Sequence, residues 1–135
     1  MNKIMTILCL GAIVVFAGCK RETKDEKFKR EFEQFTQKEC PKEMDPYTRL
    51  DSAIYSIENR TLSYYYTVCN ELDNEIFYTE DVINDFHDTV LKELKSSIQL
   101  KGYKDEGITF HYDYRSATTG KRFFDLTLTR EDYGK

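Results

Sequence analysis

The chain has 135 residues, of which 20 are basic and 24 are acidic, so its formal net charge is −4 at pH 7. This balance excludes the extended basic surface that binding to nucleic acid requires. The length suffices for one small domain. A 14% share of aromatic residues, mostly Tyr and Phe, is typical of a thin, sheet-rich domain in which phenol rings are buried while their hydroxyls stay hydrated.

The amino terminus has the pattern of an export signal. A short polar start with one basic residue, Lys3, precedes an uncharged and mostly apolar run over residues 4–16. The run is shorter than the ~20 apolar residues of a membrane-spanning helix and matches the core of a signal peptide. It ends in Ala17-Gly18-Cys19, which resembles the lipobox of bacterial lipoproteins. That resemblance implies cleavage before Cys19, a thioether-linked lipid on its sulfur, and acylation of the new amino terminus.

We therefore expect a signal peptide over residues 1–18 and a lipid anchor at Cys19. Two or more acyl chains hold a protein stably at a membrane, so the mature chain would be anchored without spanning it. An ordinary signal peptide and an uncleaved anchor are the alternatives. The predicted location is the cell envelope, at the outer membrane, facing the periplasm or the surface.

Two cysteines remain for the folded part once Cys9 is assigned to the signal peptide and Cys19 to the lipid. These are Cys40 and Cys69. Exported proteins meet oxidising conditions, so one disulfide between them is a candidate. Two separate buried thiols are the alternative, because the sequence does not show whether the Cα atoms lie within ~7 Å.

Residues 19–39 are predicted to form a lipid-anchored tether followed by an amphipathic helix. The segment alternates in charge and contains neither Gly nor Pro. Phe28, Phe32 and Phe35 recur at helical spacing, so we expect a helix from about Lys24 that packs its Phe side on the domain.

Residues 40–135 are predicted to form an α+β domain. Two strands, over residues 48–57 and 60–69, form a hairpin, and the second alternates apolar with polar positions. A long helix follows, with Thr79 as its N-cap and Gly102 as its stop. Its apolar positions recur at spacings of three and four: Ile83, Phe86, Val90, Leu94 and Ile98.

A second hairpin is predicted from strands over residues 108–115 and 124–129, joined by a polar connection at 116–121. The order helix, hairpin, helix, hairpin favours a two-layer α+β fold. We expect an antiparallel four-stranded sheet with the long helix packed on one face and an additional N-terminal helix.

The predicted strands also resemble a recurring pattern in small exported bacterial domains. The matching stretches cover residues 44–52, 61–68 and 107–114 and consist mainly of strand and turn positions. The resemblance implies the fold and brings no activity with it.

The sequence contains no convincing catalytic set, phosphate-binding loop or metal-ligand spacing, so we expect neither an enzyme nor a cofactor or metal. His111, Asp113 and Arg115 share one side of a strand, as every second residue does. This row is either an ordinary polar sheet face or part of a contact patch for a carboxylate-bearing partner. Tyr65, accompanied by Tyr55, is expected to expose its ring on the same outer face, where aromatic residues favour contacts.

The function predicted from these features is that of a small binding or interaction module in the cell envelope. Its expected partners are the membrane, through the N-terminal lipid, and another envelope protein, with nucleic acid excluded. The alternative is a small periplasmic inhibitor of an envelope enzyme, which would use the connection at 116–121 as its inhibitory loop.

Overall fold

The computed structural model of the protein describes residues 21–134. The predicted signal peptide and Cys19 lie outside these residues. The described elements, in chain order, are α1 (Lys24–Glu39), β1 (Lys42–Asp45), β2 (Thr48–Ser56), β3 (Thr61–Val68), α2 (Glu80–Ser96), α3 (Lys101–Asp105), β4 (Thr109–Ser116), β5 (Arg122–Leu128) and α4 (Arg130–Tyr133). Two 3-10 turns, Asn70–Leu72 and Glu75–Phe77, connect β3 to α2. None of the helices in this described range is long and apolar enough to cross a membrane.

The strands form one five-stranded mixed sheet in the order β1-β2-β3-β4-β5. Both predicted hairpins, β2–β3 and β4–β5, are present and antiparallel. The prediction of a purely antiparallel sheet of four strands is wrong, because β3 and β4 pair in parallel. The reason is the crossover: α2 carries the chain back over the sheet, so β4 starts at the same end as β3.

The fifth strand is β1, which the sequence pattern did not reveal. Asp45 accepts a hydrogen bond of 2.7 Å from the Tyr47 N–H and so turns the chain back onto β2. All four residues of β1 are exposed. Without a buried side the strand has no apolar alternation, which is the signal that a sequence reading needs.

The first helix forms as predicted. A capping box between Thr23 and Glu26 starts α1 at Lys24. Phe28 and Phe32 are buried, and Phe35 packs against the same core. The helix lies on β2 and so contributes to the core of the domain.

The second helix also begins as predicted, because the Thr79 hydroxyl accepts a hydrogen bond from the Val82 N–H. Its end differs from the prediction. The helix stops at Ser96, and Ser97 adopts an extended backbone conformation. Ile98 is consequently 87% exposed and not part of the apolar side, while Gly102 lies within α3.

Both long helices lie on one face of the sheet, called the inner face below. The other, outer face carries no helix of the described chain. The core consists of inner-face strand residues and the buried sides of the helices, including Tyr55, Leu62, Val90, Leu94, Phe110 and Leu128.

Candidate functional site

A groove crosses the inner face between α1 and α2. Its floor consists of two pairs of tyrosines on the neighbouring parallel strands, Tyr64 beside Tyr112 and Tyr66 beside Tyr114. The ring centroids are 5.2 Å apart in the first pair and 4.7 Å apart in the second. Parallel pairing in register places all four rings on the same face, because side chains of a strand alternate with a period of two. We call this feature the tyrosine groove; its volume is about 510 Å³.

The walls of the tyrosine groove are apolar and come from segments that are far apart in the chain. α1 packs on β2, whereas α2 contacts β5, so a groove remains between the helices above the inner face of β3 and β4. The apolar wall residues are Phe32, Phe35, Met44, Leu50, Val90, Leu94 and Leu100.

The four floor hydroxyls have no hydrogen-bond partner among residues 21–134. Burial raises the pKa of Tyr66 to about 12 and raises the pKa of Tyr64, Tyr112 and Tyr114 still further. All four phenols are therefore neutral at physiological pH and can both donate and accept a hydrogen bond. A hydroxyl in such a setting needs water or a ligand as its partner.

Two charged side chains lie on opposite rims of the tyrosine groove, Glu93 on α2 and Lys42 on the edge strand β1. Neither forms an ion pair with another residue of the described part of the chain. Burial is the main cause of the raised pKa of Tyr66, Tyr112 and Tyr114, and the negative charge of Glu93 raises each of these pKa values further. The carboxylate therefore lies within electrostatic range of the groove floor.

A second, smaller cleft continues beyond Tyr114, which lines both. Its volume is about 310 Å³. The cleft is lined mainly by apolar side chains of the loop after β3, of α2 and of the sheet: Val68, Leu72, Phe77, Tyr78, Val82, Phe86 and Phe124. Near its rim, Ile76 is 70% exposed. The two clefts together follow α2 from Val82 to Ser97, a length of about 22 Å at 1.5 Å per residue.

The loop that bounds the second cleft is held to the β4–β5 turn by Asp73. Its carboxylate accepts hydrogen bonds from the Ser116 hydroxyl at 2.5 Å and from the Thr118 hydroxyl at 2.8 Å. These bonds lower the pKa of Asp73. The connection predicted as an inhibitory loop is thus a short exposed turn with a fixed position.

The predicted contact patch lies mostly on the outer face, where its polar groups bind each other. His111 accepts or donates at both ring nitrogens, to the Ser63 hydroxyl at 3.2 Å and to an Asp125 oxygen at 3.0 Å. The half-buried Tyr65 places its ring edge-on to His111, with centroids 6.4 Å apart.

Asp113 is wholly buried beneath two arginines of the outer face. Arg115 donates to its carboxylate at 2.9 Å, and Arg122 does so at 2.8 Å. Asp113 therefore forms an ion pair with Arg115, the cation that the sequence pattern offered to a partner. The structure brings Tyr65, His111, Asp113 and Arg115 together as a polar network that supports the sheet.

Tyr55 does not belong to this patch, and its predicted exposure is wrong. It pairs directly with Leu62, and cross-strand partners share a face, so its ring enters the core at 2% exposure. Its hydroxyl donates a 2.6 Å hydrogen bond to Asp25 of α1. Burial and this bond raise the pKa of Tyr55 to about 12.

The predicted disulfide is not formed, because Cys40 and Cys69 are separate free thiols. Lys42 pairs with Leu50, which places Cys40 beside the middle of β2. The N–H of Cys69 instead bonds to the carbonyl of Tyr47, just before β2. These two positions along β2 are separated by about five residues of extended chain, or roughly 16 Å. A bridge needs Cα atoms within ~7 Å.

Sequence reasoning missed the tyrosine groove. The available signal is the repeated spacing of Tyr64 and Tyr66 in one strand and of Tyr112 and Tyr114 in the other. Within residues 21–134 the structure contains no group of three or more His, Cys, Asp and Glu side chains arranged to hold a metal ion.

A family model described as "Domain of unknown function (DUF8479)" matches residues 23–124. The chain belongs to the DUF8479 family. The match starts at the N-cap of α1 and ends within β5, so the residues that line both clefts lie inside the DUF8479 domain. No curated protein matches the chain.

The DUF8479 domain has the fold of several solved structures. One is described as a secreted protein of Pseudomonas aeruginosa, at 9% identity and a TM-score of 0.63, covering 84% of this chain and 99% of that one. Another is EpsS, the pilotin of the Vibrio vulnificus type 2 secretion system, at 10% identity and a TM-score of 0.57, covering 78% and 86%. A third is AspS, a type II secretion system pilotin of Vibrio cholerae, at 18% identity and a TM-score of 0.51, covering 77% and 94%. At these identities the similarity shows a shared fold.

Proposed function

We propose that the protein is a lipid-anchored module of the bacterial cell envelope that binds a segment of another envelope protein in its tyrosine groove. The observation that carries this proposal is the open groove of about 510 Å³ over β3 and β4. Its walls are apolar, and its four floor hydroxyls have no partner among residues 21–134.

The chemistry of the groove suits a protein segment. Apolar walls stabilise a ligand by removing hydrophobic surface from water, and a few polar groups fix its orientation. The second cleft adds exposed apolar side chains at Leu72, Phe77 and Val82. A contiguous apolar surface of this kind is typical of an interaction site.

The similar folds support an envelope role. One of them is described as a secreted protein, and two are pilotins of type II secretion systems. The class of partner we propose is therefore a component of an envelope assembly such as a secretion system.

The anchor in this proposal is the lipid on Cys19, at the outer membrane. The first helix starts at Lys24, five residues later, so the anchor would hold the domain close to the bilayer. We expect Cys19→Ala to abolish incorporation of radiolabelled palmitate and to move the protein out of the membrane fraction. Equal labelling of variant and wild type would contradict the anchor.

The groove is tested by placing a photo-crosslinking amino acid at one of two exposed positions in living cells. Met44 is 51% exposed and lines the tyrosine groove. Thr127 is exposed on the outer face, where it pairs with His111. We expect a discrete adduct with one envelope protein from Met44 and none from Thr127. An adduct from Thr127 alone would move the site to the outer face.

A matched pair of variants completes this test. Ser97→Trp projects a large side chain into the tyrosine groove, whereas Ser96→Trp lies outside it. Each change removes one serine hydroxyl that makes a local hydrogen bond near the end of α2. We expect Ser97→Trp to remove the Met44 adduct and Ser96→Trp to retain it. Loss of the adduct in both variants would contradict a groove-specific contact.

A periplasmic inhibitor is the second candidate function. It is favoured by the exposed turn after Ser116, which Asp73 holds rigid. In that case a crosslinker at Thr119, not at Met44, would capture the target enzyme.

A further inference from the structure

We infer that the segment bound in the tyrosine groove is an amphipathic helix with a basic side chain at the edge of its apolar side, and that this side chain pairs with Glu93. The inference rests on the proposed function and names the chemistry of the partner.

The shape of the two clefts favours a helix over an extended segment. They follow α2 for about 22 Å, which matches about 15 residues or four turns of a second helix. The floor of the groove is formed by β3 and β4, which are paired with neighbouring strands on both sides, so it presents no row of free backbone groups. An extended segment would leave its own N–H and C=O groups unpaired there, whereas a helix satisfies most of them internally.

The charges of the groove decide which helix fits. Among residues 21–134, Glu93 is the one acidic side chain that lines the tyrosine groove, and Lys42, on the opposite rim, is the one basic side chain. Neither has an ion-pair partner within residues 21–134. The remaining lining consists of neutral aromatic, aliphatic and amide or hydroxyl side chains. A basic residue facing α2 would therefore gain a carboxylate partner, and an acidic residue there would meet repulsion.

The tyrosine floor strengthens this preference. The hydroxyls of Tyr66, Tyr112 and Tyr114 stay neutral because their pKa values are raised by burial, so the floor adds no second charge beside Glu93.

The probes for this inference are three synthetic 15-residue helical peptides, acetylated and amidated, with the same leucine stripe and an otherwise neutral polar face. They differ at one position on the edge of the stripe, which is Lys, Gln or Glu. Binding is measured by fluorescence anisotropy to the purified full chain in phosphatidylcholine nanodiscs, with empty nanodiscs subtracted.

We expect the Lys peptide to bind the wild-type protein about threefold to fivefold more tightly than the Gln peptide, as an exposed ion pair would produce. Glu93→Gln should abolish this preference, and Glu93→Lys should transfer it to the Glu peptide. Asp85→Asn is the matched control, because it removes the same charge from an exposed position of α2 that lines neither cleft. It should retain the Lys preference.

The outcomes separate the inference from the proposed function. A Lys preference that persists in Glu93→Gln overturns the role of Glu93, although binding itself would still support the groove. Failure of every peptide to bind, together with a Met44 adduct in cells, overturns the helical partner and keeps the groove as a binding site. Failure of both measurements overturns the proposed function as well.

Discussion

Leu94 of α2 belongs to the core and also lines the tyrosine groove. Its truncation to Ala therefore measures how much the packing of α2 contributes to the free energy of unfolding. The side chain is 2% exposed and belongs to the buried cluster beneath the helix. Leu→Ala changes at buried sites cost about 2–5 kcal/mol, and the cost falls where the surroundings can collapse or admit water. Because Leu94 also lines the open groove, we expect Leu94→Ala to lie at the lower end, about 2–3 kcal/mol.

For a domain of this size, such a loss corresponds to a decrease in Tm of roughly 8–12 °C. The adjacent Lys95→Ala is the control, because the Lys95 side chain is exposed. Its backbone carbonyl accepts a hydrogen bond from the Lys104 side chain, and the substitution keeps that carbonyl. It should stay within about ±0.5 kcal/mol. Urea denaturation of both variants, followed by circular dichroism, measures the difference. Equal midpoints for the two variants would refute the assignment of the buried side of α2.

Three further predictions concern a buried hydrogen bond, the two free thiols and one carboxylate. Tyr133→Phe removes a buried 2.8 Å hydrogen bond to a main-chain carbonyl and should lower the free energy of unfolding by about 1 kcal/mol in chemical denaturation; an unchanged midpoint would contradict this. Cys40 and Cys69 should both react with iodoacetamide in unfolded, unreduced protein, and intact mass with no adduct at either would show a bridge after all. The pKa of Asp25 is lowered chiefly by the hydrogen bond from Tyr55, so its stabilisation is present above the unfolded pKa of about 4 and is lost as pH falls through the folded value. Asp25→Asn should therefore flatten the acid limb of a stability–pH curve, and an unaltered limb would show that the bond contributes nothing.

The helices and hairpins of this protein follow from local sequence patterns. The spacing of Phe28, Phe32 and Phe35 and the capping residues Thr23 and Thr79 are short-range features, and they act within one or two turns. The same holds for the alternation in β3, β4 and β5, which predicts two hairpins. These elements appear at the predicted places, and α2 differs only at its end.

The arrangement that creates the groove is a property of the tertiary structure. Whether β3 and β4 are antiparallel or parallel depends on the path of α2 over the sheet, and no local pattern in either strand records that path. Parallel pairing sets Tyr64 beside Tyr112 and Tyr66 beside Tyr114, and the separation of α1 from α2 leaves a groove above these largely buried rings.

The two cysteines show the same division. The cysteine count and the export signal indicated two thiols that could form a disulfide. In the structure, β1 folds back along β2 and carries Cys40 away from Cys69. Periodicity reports which side of an element is apolar, because it depends on neighbours within a few residues. Which elements lie side by side, and where a gap remains between them, is decided by packing between residues that are far apart in the chain.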